Sequence, residues 1–247
     1  MAARHIHDHS INKLHLSIMN EKLLLLHGAL GSKKQFNTLK EGLSKSFEVY
    51  TLDFEGHGGK ASQNEFSIEL FTNNVLDYLH EKSIEEITIF GYSMGGYVAL
   101  SAALENPKKI KKVITLGTKF KWDLESATKE TQLLNPVKIE EKVPAFAEKL
   151  QQEHYPQDWK VVMNKTASMM IEMGKGAKLM DSDFKKIKQT VIIGIGSLDY
   201  MVSYEESEYV SELMPHSKLV ELEGVKHPID IIGADELVDY ITNHCLK

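Results

Sequence analysis

Leu23-Leu-Leu-Leu26 is an unbroken aliphatic run with no polar residue on either side of its alternation. A strand with one face in water alternates apolar and polar residues. A run of this kind therefore needs cover on both faces, as in a buried parallel sheet. Phe47–Leu52, Glu86–Phe90, Lys112–Leu116, Thr190–Ile195 and Leu219–Leu222 read as further strands. Between these runs the apolar spacing changes to that of a helix. Gln35–Lys45 carries Phe36, Leu39 and Leu43 on one face. Ser67–Lys82 places Ile68, Phe71, Val75, Leu76 and Leu79 on one stripe, with Ser67 where an N-cap belongs. Met94–Glu105, Tyr204–Leu213 and Glu236–His244 complete the helical set. Strands separated by helices of this length predict an α/β fold: a mostly parallel central sheet with helices on both faces.

The alternation stops between 118 and 187. That segment has no convincing strand, several aromatic residues, and a methionine-rich stretch at Met163, Met169, Met170, Met173 and Met180. It is expected to be a helical lid, 118–187, inserted into a core made of 1–117 and 188–247. Met is flexible and fills irregular apolar space, so Met163, Met169, Met170 and Met173 are expected to build part of an apolar pocket.

Charge narrows the partners. The 247 residues hold 29 Lys and Arg against 35 Asp and Glu, a net charge of −6, which argues against nucleic acid or an anionic membrane surface. Arg4 is the only arginine. A planar bidentate clamp for phosphate or carboxylate uses arginine, so the body of the chain is poorly supplied for such a ligand. The single cysteine, Cys245, allows neither an internal disulfide nor a multi-cysteine metal site. No signal-like or membrane-spanning apolar stretch is visible, and the expectation is a cytoplasmic protein with a small-molecule substrate. The spacing says nothing about oligomeric state. His5-Ile-His7-Asp-His9 has the residue types of a metal site, but without a preceding strand or a later ligand set it reads as a solvated tail. No G-x-G-x-x-G or P-loop pattern is present, and no metal or cofactor is expected.

The chemistry-bearing string is Gly91-Tyr-Ser93-Met-Gly95, which fits G-x-S-x-G between a strand and a helix. Such a turn forces the serine backbone into a strained region and lifts Oγ clear of the sheet. Glycines two residues to either side avoid collision with neighbouring backbone. Four more pieces follow in order: Leu26-His-Gly-Ala-Leu-Gly-Ser32, Asp53-Phe-Glu-Gly-His-Gly58, Gly196-Ser-Leu-Asp199 and Gly224-Val-Lys-His227-Pro. With them the chain resembles the serine hydrolases of the α/β-hydrolase fold superfamily over essentially its whole length.

The resemblance implies roles. Ser93 would be the nucleophile, His227 its base and later the acid, and Asp199 the group that orients the imidazole. Backbone amides of Met94 and Ala29 would form the oxyanion hole, with Leu30 as an alternative to Ala29. Leu30, Tyr92, Trp122, Phe146 and Trp159 are expected to bind substrate. His27 and His57 are expected to shape their loops by hydrogen bonding. The implied activity is carboxylesterase-like cleavage of an ester or related acyl bond in a small, apolar, uncharged substrate. Two alternatives stay open: a ligand-binding regulator that reuses the fold with little turnover, and a carbon–carbon bond hydrolase or menaquinone-pathway synthase of the same fold. The synthase holds a polyanion with arginines, whereas the residues after the nucleophile here are Gly96-Tyr-Val98.

Overall fold

The structure is a computed structural model and describes residues 21–246. Arg4 and the His5, His7 and His9 tail lie outside the described residues. Strands β1 (Lys22–Leu26), β2 (Glu48–Thr51), β3 (Ile87–Tyr92), β4 (Ile110–Leu116), β5 (Thr190–Gly196) and β6 (Ser217–Leu222) form one sheet. Their order is β2-β1-β3-β4-β5-β6, and every pairing is parallel. From β1 the chain steps outward to β2, then returns to place β3 on the other side of β1. The carboxyl ends of β1 and β3 thus flank the point where the winding reverses, the usual position of a site in such a sheet.

The aliphatic run in β1 is buried on both sides. Leu24 and Leu26 join one apolar cluster with Ile89, Val113, Val191 and Ile193. Leu23 and Leu25 join the other, with Phe90, Ile114 and Ile192. Fully burying each of these side chains favours folding by roughly 1.5–3 kcal/mol. The first face is covered by α2 (Ile68–Glu81), α3 (Met94–Glu105) and α9 (Tyr204–Leu213). The second is covered by α1 (Asn37–Leu43) and α10 (Ala234–Cys245).

Helix starts follow local chemistry. Ser67 Oγ accepts the N–H of Leu70 at 3.0 Å and caps α2. Ser203 and Glu206 form a reciprocal capping box at the start of α9. Helix α3 is different: Met94 to Ala103 are all buried, because it is enclosed by the sheet, α2 and the helices above it.

Between β4 and β5 the described chain is helical: α4 (Leu124–Thr131), α5 (Pro136–Lys142), α6 (Pro144–His154), α7 (Trp159–Gly174) and α8 (Asp181–Phe184). This segment is not a separate body laid on the sheet. Phe120, Trp122, Ala127, Val162, Met169, Met173 and Phe184 belong to the same apolar cluster as α2 and α3. Ile139, Ala147, Leu150, Trp159 and Met163 form a small cluster of their own. Helix α7 supplies both, through two adjacent faces.

Candidate functional site

Ser93 stands between β3 and α3 with φ 51° and ψ −119°, one of three non-glycine residues with positive φ among those described. A non-glycine residue there costs on the order of 1–3 kcal/mol and persists only when its surroundings hold it. The holders are visible. Ser93 N–H donates to Leu116 O at 2.9 Å, and Thr118 Oγ1 donates to Ser93 O at 3.1 Å. A Cβ at Gly91 would fall on the backbone of Gly95 and Gly96, and one at Gly95 on the carbonyl of Leu26. Both glycines are required by close approach of main chain to main chain.

The second element follows β5. Asp199 Oδ1 accepts the N–H groups of Met201 at 2.9 Å and Val202 at 3.0 Å. Its other oxygen lies 2.8 Å from Nδ1 of His227, which follows β6. Burial pushes the Asp199 carboxyl up, but the hydrogen bond and charge of His227 and the two amides together hold it below the usual carboxylate range. An ionised carboxylate can only accept, so His227 donates from Nδ1 and leaves Nε2 as its second nitrogen. Tyr92 fixes the backbone here: its hydroxyl donates to His227 O at 2.9 Å. Gly117, at φ +61°, lies beside the pair. A Cβ there would come within 3.2 Å of both Asp199 Oδ2 and His227 Nδ1.

These elements meet at one cavity. It is lined by Ala29, Ser93, Met94 and His227 on the core side, with Ile68, Tyr97, Met201 and Val202. Lys119, Trp122, Glu130, Met169, Met170 and Met173 complete it. The lining is mostly apolar and sits at the carboxyl ends of the strands. A hydroxyl on a strained turn and an imidazole held by a carboxylate therefore face one apolar space, with the start of α3 supplying partial positive charge.

Among the expected binding residues, the structure brings only Trp122 to this cavity. Tyr92 is buried behind His227 and turns its hydroxyl to main chain. Leu30 packs between the core and the small cluster, Trp159 lies inside that cluster, and Phe146 is 40% exposed on the outer surface of α6. Of the four methionines expected to form the pocket, Met169, Met170 and Met173 line it, and Met163 is enclosed with Trp159 instead. Ile68, Tyr97, Glu130, Met201 and Val202 were not anticipated. Met201 and Val202 carried one local signal, since they directly follow the Asp199 turn.

His27 and His57 sit in a second cluster with His154, at the end of α6. Gly28 O can only accept, so His27 donates to it from Nδ1 at 2.8 Å, and Nε2 accepts from Phe54 N–H at 3.2 Å. His154 likewise donates to Leu30 O at 3.1 Å and accepts from Gly58 N–H at 3.3 Å. His57 donates to Glu55 O at 3.2 Å and leaves Nε2 buried without a partner. Burial drives all three toward the neutral form, His27 down to about 4. Among the described residues no group of three or more His, Cys, Asp or Glu side chains is placed to hold a metal ion. No helix there is long and apolar enough to cross a membrane.

A family model described as alpha/beta hydrolase fold matches residues 22–158, more than half of the chain. An sn-1-specific diacylglycerol lipase of Xenopus laevis is 31% identical over 102 residues, covering 40% of this chain and 33% of the relative. An ethanol acetyltransferase of Hanseniaspora uvarum is 29% identical over 100 residues, covering 40% and 30%. The chain thus spans about a third of the length of these curated relatives. The solved enol-lactonase of Burkholderia xenovorans LB400 superposes with a TM-score of 0.73 over 92% of each chain, at 18% identity, a likeness of fold.

Proposed function

The chain belongs to the alpha/beta hydrolase fold family, and from that premise we propose that it transfers an acyl group through Ser93 and cleaves an ester of a small, largely uncharged substrate. The observation that carries this reading is the strained Ser93 turn opening on the same apolar cavity as the His227–Asp199 pair.

In this reading His227 Nε2 takes the hydroxyl proton as Ser93 Oγ attacks the ester carbonyl. Asp199 holds the imidazole in the tautomer that leaves Nε2 free, and stabilises the imidazolium that forms. The amides of Met94 and Ala29 stabilise the tetrahedral oxyanion. Losing one such donor costs about 3–4 kcal/mol of transition-state stabilisation. The alcohol leaves with the proton from His227, and a second acceptor releases the acyl group by the reverse steps.

Water as that acceptor makes the protein an esterase, and an alcohol makes it an acyltransferase. The names of the two curated relatives, a lipase and an acetyltransferase, differ in just this respect. The apolar lining keeps both acceptors in play, since it favours an alcohol over bulk water at the acyl group.

The test is fluorophosphonate labelling beside turnover of p-nitrophenyl esters, with and without added ethanol. Labelling lost in Ser93→Ala, with ester turnover in the wild type, supports the reading. Ethyl ester appearing in place of free acid identifies the transferase. Rapid labelling with negligible turnover of a broad ester panel would instead favour a ligand-binding regulator.

A further inference from the structure

One charged pair lies in the wall of this mostly apolar cavity. Lys119 Nζ is 3.4 Å from Glu130 Oε1, and the two side chains are only 16% and 12% exposed. Lys119 follows β4, Glu130 is on α4, and both line the cavity with Ser93 and His227. Lys119 also donates to Met201 O at 3.2 Å and lies over the Trp122 ring. Lys119, Glu130 and Met201 line an outer surface groove as well, so they form the wall between cavity and surface.

Packing alone does not call for such a pair. Withdrawing two charges from water is costly, and apolar side chains of similar volume often serve stability as well or better. What the pair adds is hydrogen-bonding capacity. An ammonium has three donors, and one here is given to Met201 O, while Glu130 lies 3.4 Å away as the ion-pair partner. The carboxylate keeps most of its acceptor sites. Free donors beside free acceptors suit a group that both accepts and donates. A hydroxyl does so. A carboxylate at this point would face Glu130, and an ammonium would face Lys119.

We propose that the Lys119–Glu130 pair is the polar end of the substrate cavity and selects substrates bearing a neutral hydroxyl remote from the reacting ester. The inference rests on the proposed acyl-transfer site for its meaning, but its test is one of binding. Trp122 in the cavity wall supplies a fluorescence signal, while Trp159 is enclosed in a separate cluster.

The ligands are 1-hexanol, 1,6-hexanediol, 6-hydroxyhexanoate and 6-amino-1-hexanol, titrated against the full chain and against Ser93→Ala. Wild type is expected to prefer the diol to both charged ligands. The apolar double variant Lys119→Met/Glu130→Leu should shift the diol-to-hexanol affinity ratio about tenfold toward hexanol, the effect of losing a hydrogen bond to a charged group. Glu130→Gln keeps the shape, leaves the ammonium unopposed, and should raise the relative affinity for 6-hydroxyhexanoate about tenfold.

Equal changes for all four ligands would mean that the pair only ties α4 to the strand ends, and would overturn the proposal. So would a wild-type preference for the carboxylate. Ratios that shift as expected while no ester is cleaved would sink the hydrolase reading and leave the polar end standing. Ester cleavage with unshifted ratios would do the opposite.

Discussion

His227 and the cluster of His27, His57 and His154 are both buried near the carboxyl ends of the strands, yet they are built for opposite ends. His227 faces a carboxylate that its own hydrogen bond and charge, with two main-chain amides, hold below the ordinary range, and it opens on a cavity. The three clustered imidazoles face backbone groups and one another, and burial keeps them neutral. The cluster joins the His27–Ser32 loop, the Asp53–Gly58 turn and the end of α6 through imidazoles that burial holds toward the neutral form. An imidazole acquires acid–base work from its partner and its access, and becomes a neutral spacer when both are withdrawn.

The comparison breaks first at activity. Ser93→Ala and His227→Ala should each lower kcat for a p-nitrophenyl ester by three powers of ten or more, as roughly expected when members of one catalytic unit are removed. The thermal midpoint of Ser93→Ala should barely move. A Ser93→Ala enzyme keeping a tenth of wild-type kcat would remove the acyl-enzyme step. Asp199→Asn should cost about three to four powers of ten, because an amide no longer requires the Nδ1–H tautomer. Equal activity in Asp199→Asn would mean that the 2.8 Å contact orients nothing.

Acid should then separate the two groups by stability. The unfolded chain takes up protons at histidine near 6.5, whereas folded His27 resists until about 4. The neutral cluster contributes fully above about 6.5, and its contribution is lost as pH falls toward 4. For His27 alone this amounts to roughly 3 kcal/mol over the whole window. Calorimetry between pH 7 and 5, where most carboxylates remain ionised, should show a falling midpoint. A flat midpoint there would show that the cluster is open to protons.

The smallest expected effect is at His57. Its ring stacks on Phe66, meets Phe71 edge-on, and carries the unpartnered Nε2. His57→Phe should change stability by less than about 1 kcal/mol, since one weak hydrogen bond is lost and an orphaned nitrogen is removed. It should also make the acid decline shallower. A loss of several kcal/mol in urea unfolding would show that His57 makes a contact beyond those described.

Much of the core was legible because its signals are local. The boundaries of α3 and α9 match the apolar spacing to the residue, and the Ser67 cap of α2 follows from one side chain and its neighbours. The Ser93 turn was legible because only glycines fit where Gly91 and Gly95 stand. The segment over the site was legible as helical and little further. Val143, Phe146, Ala147 and Leu150 recur at helical spacing across the start of α6. The structure buries Ala147 and Leu150 and leaves Val143 and Phe146 outside. On α7, Val162, Met169 and Met173 turn to the core while Trp159 and Met163 turn away.

The sequence by itself determined a parallel sheet buried on both faces, a serine forced onto a sharp strand-to-helix turn, and the order of the pieces around it. Each of these depends on a few neighbouring residues or on a short repeat. Only the tertiary structure decided which side chains of 118–187 share a cavity with Ser93, that Lys119 meets Glu130, and that burial holds three histidines toward the neutral form. Those outcomes depend on how each helix rotates about its axis as it packs against several surfaces at once. Apolar spacing along one helix leaves that rotation open wherever more than one face is apolar.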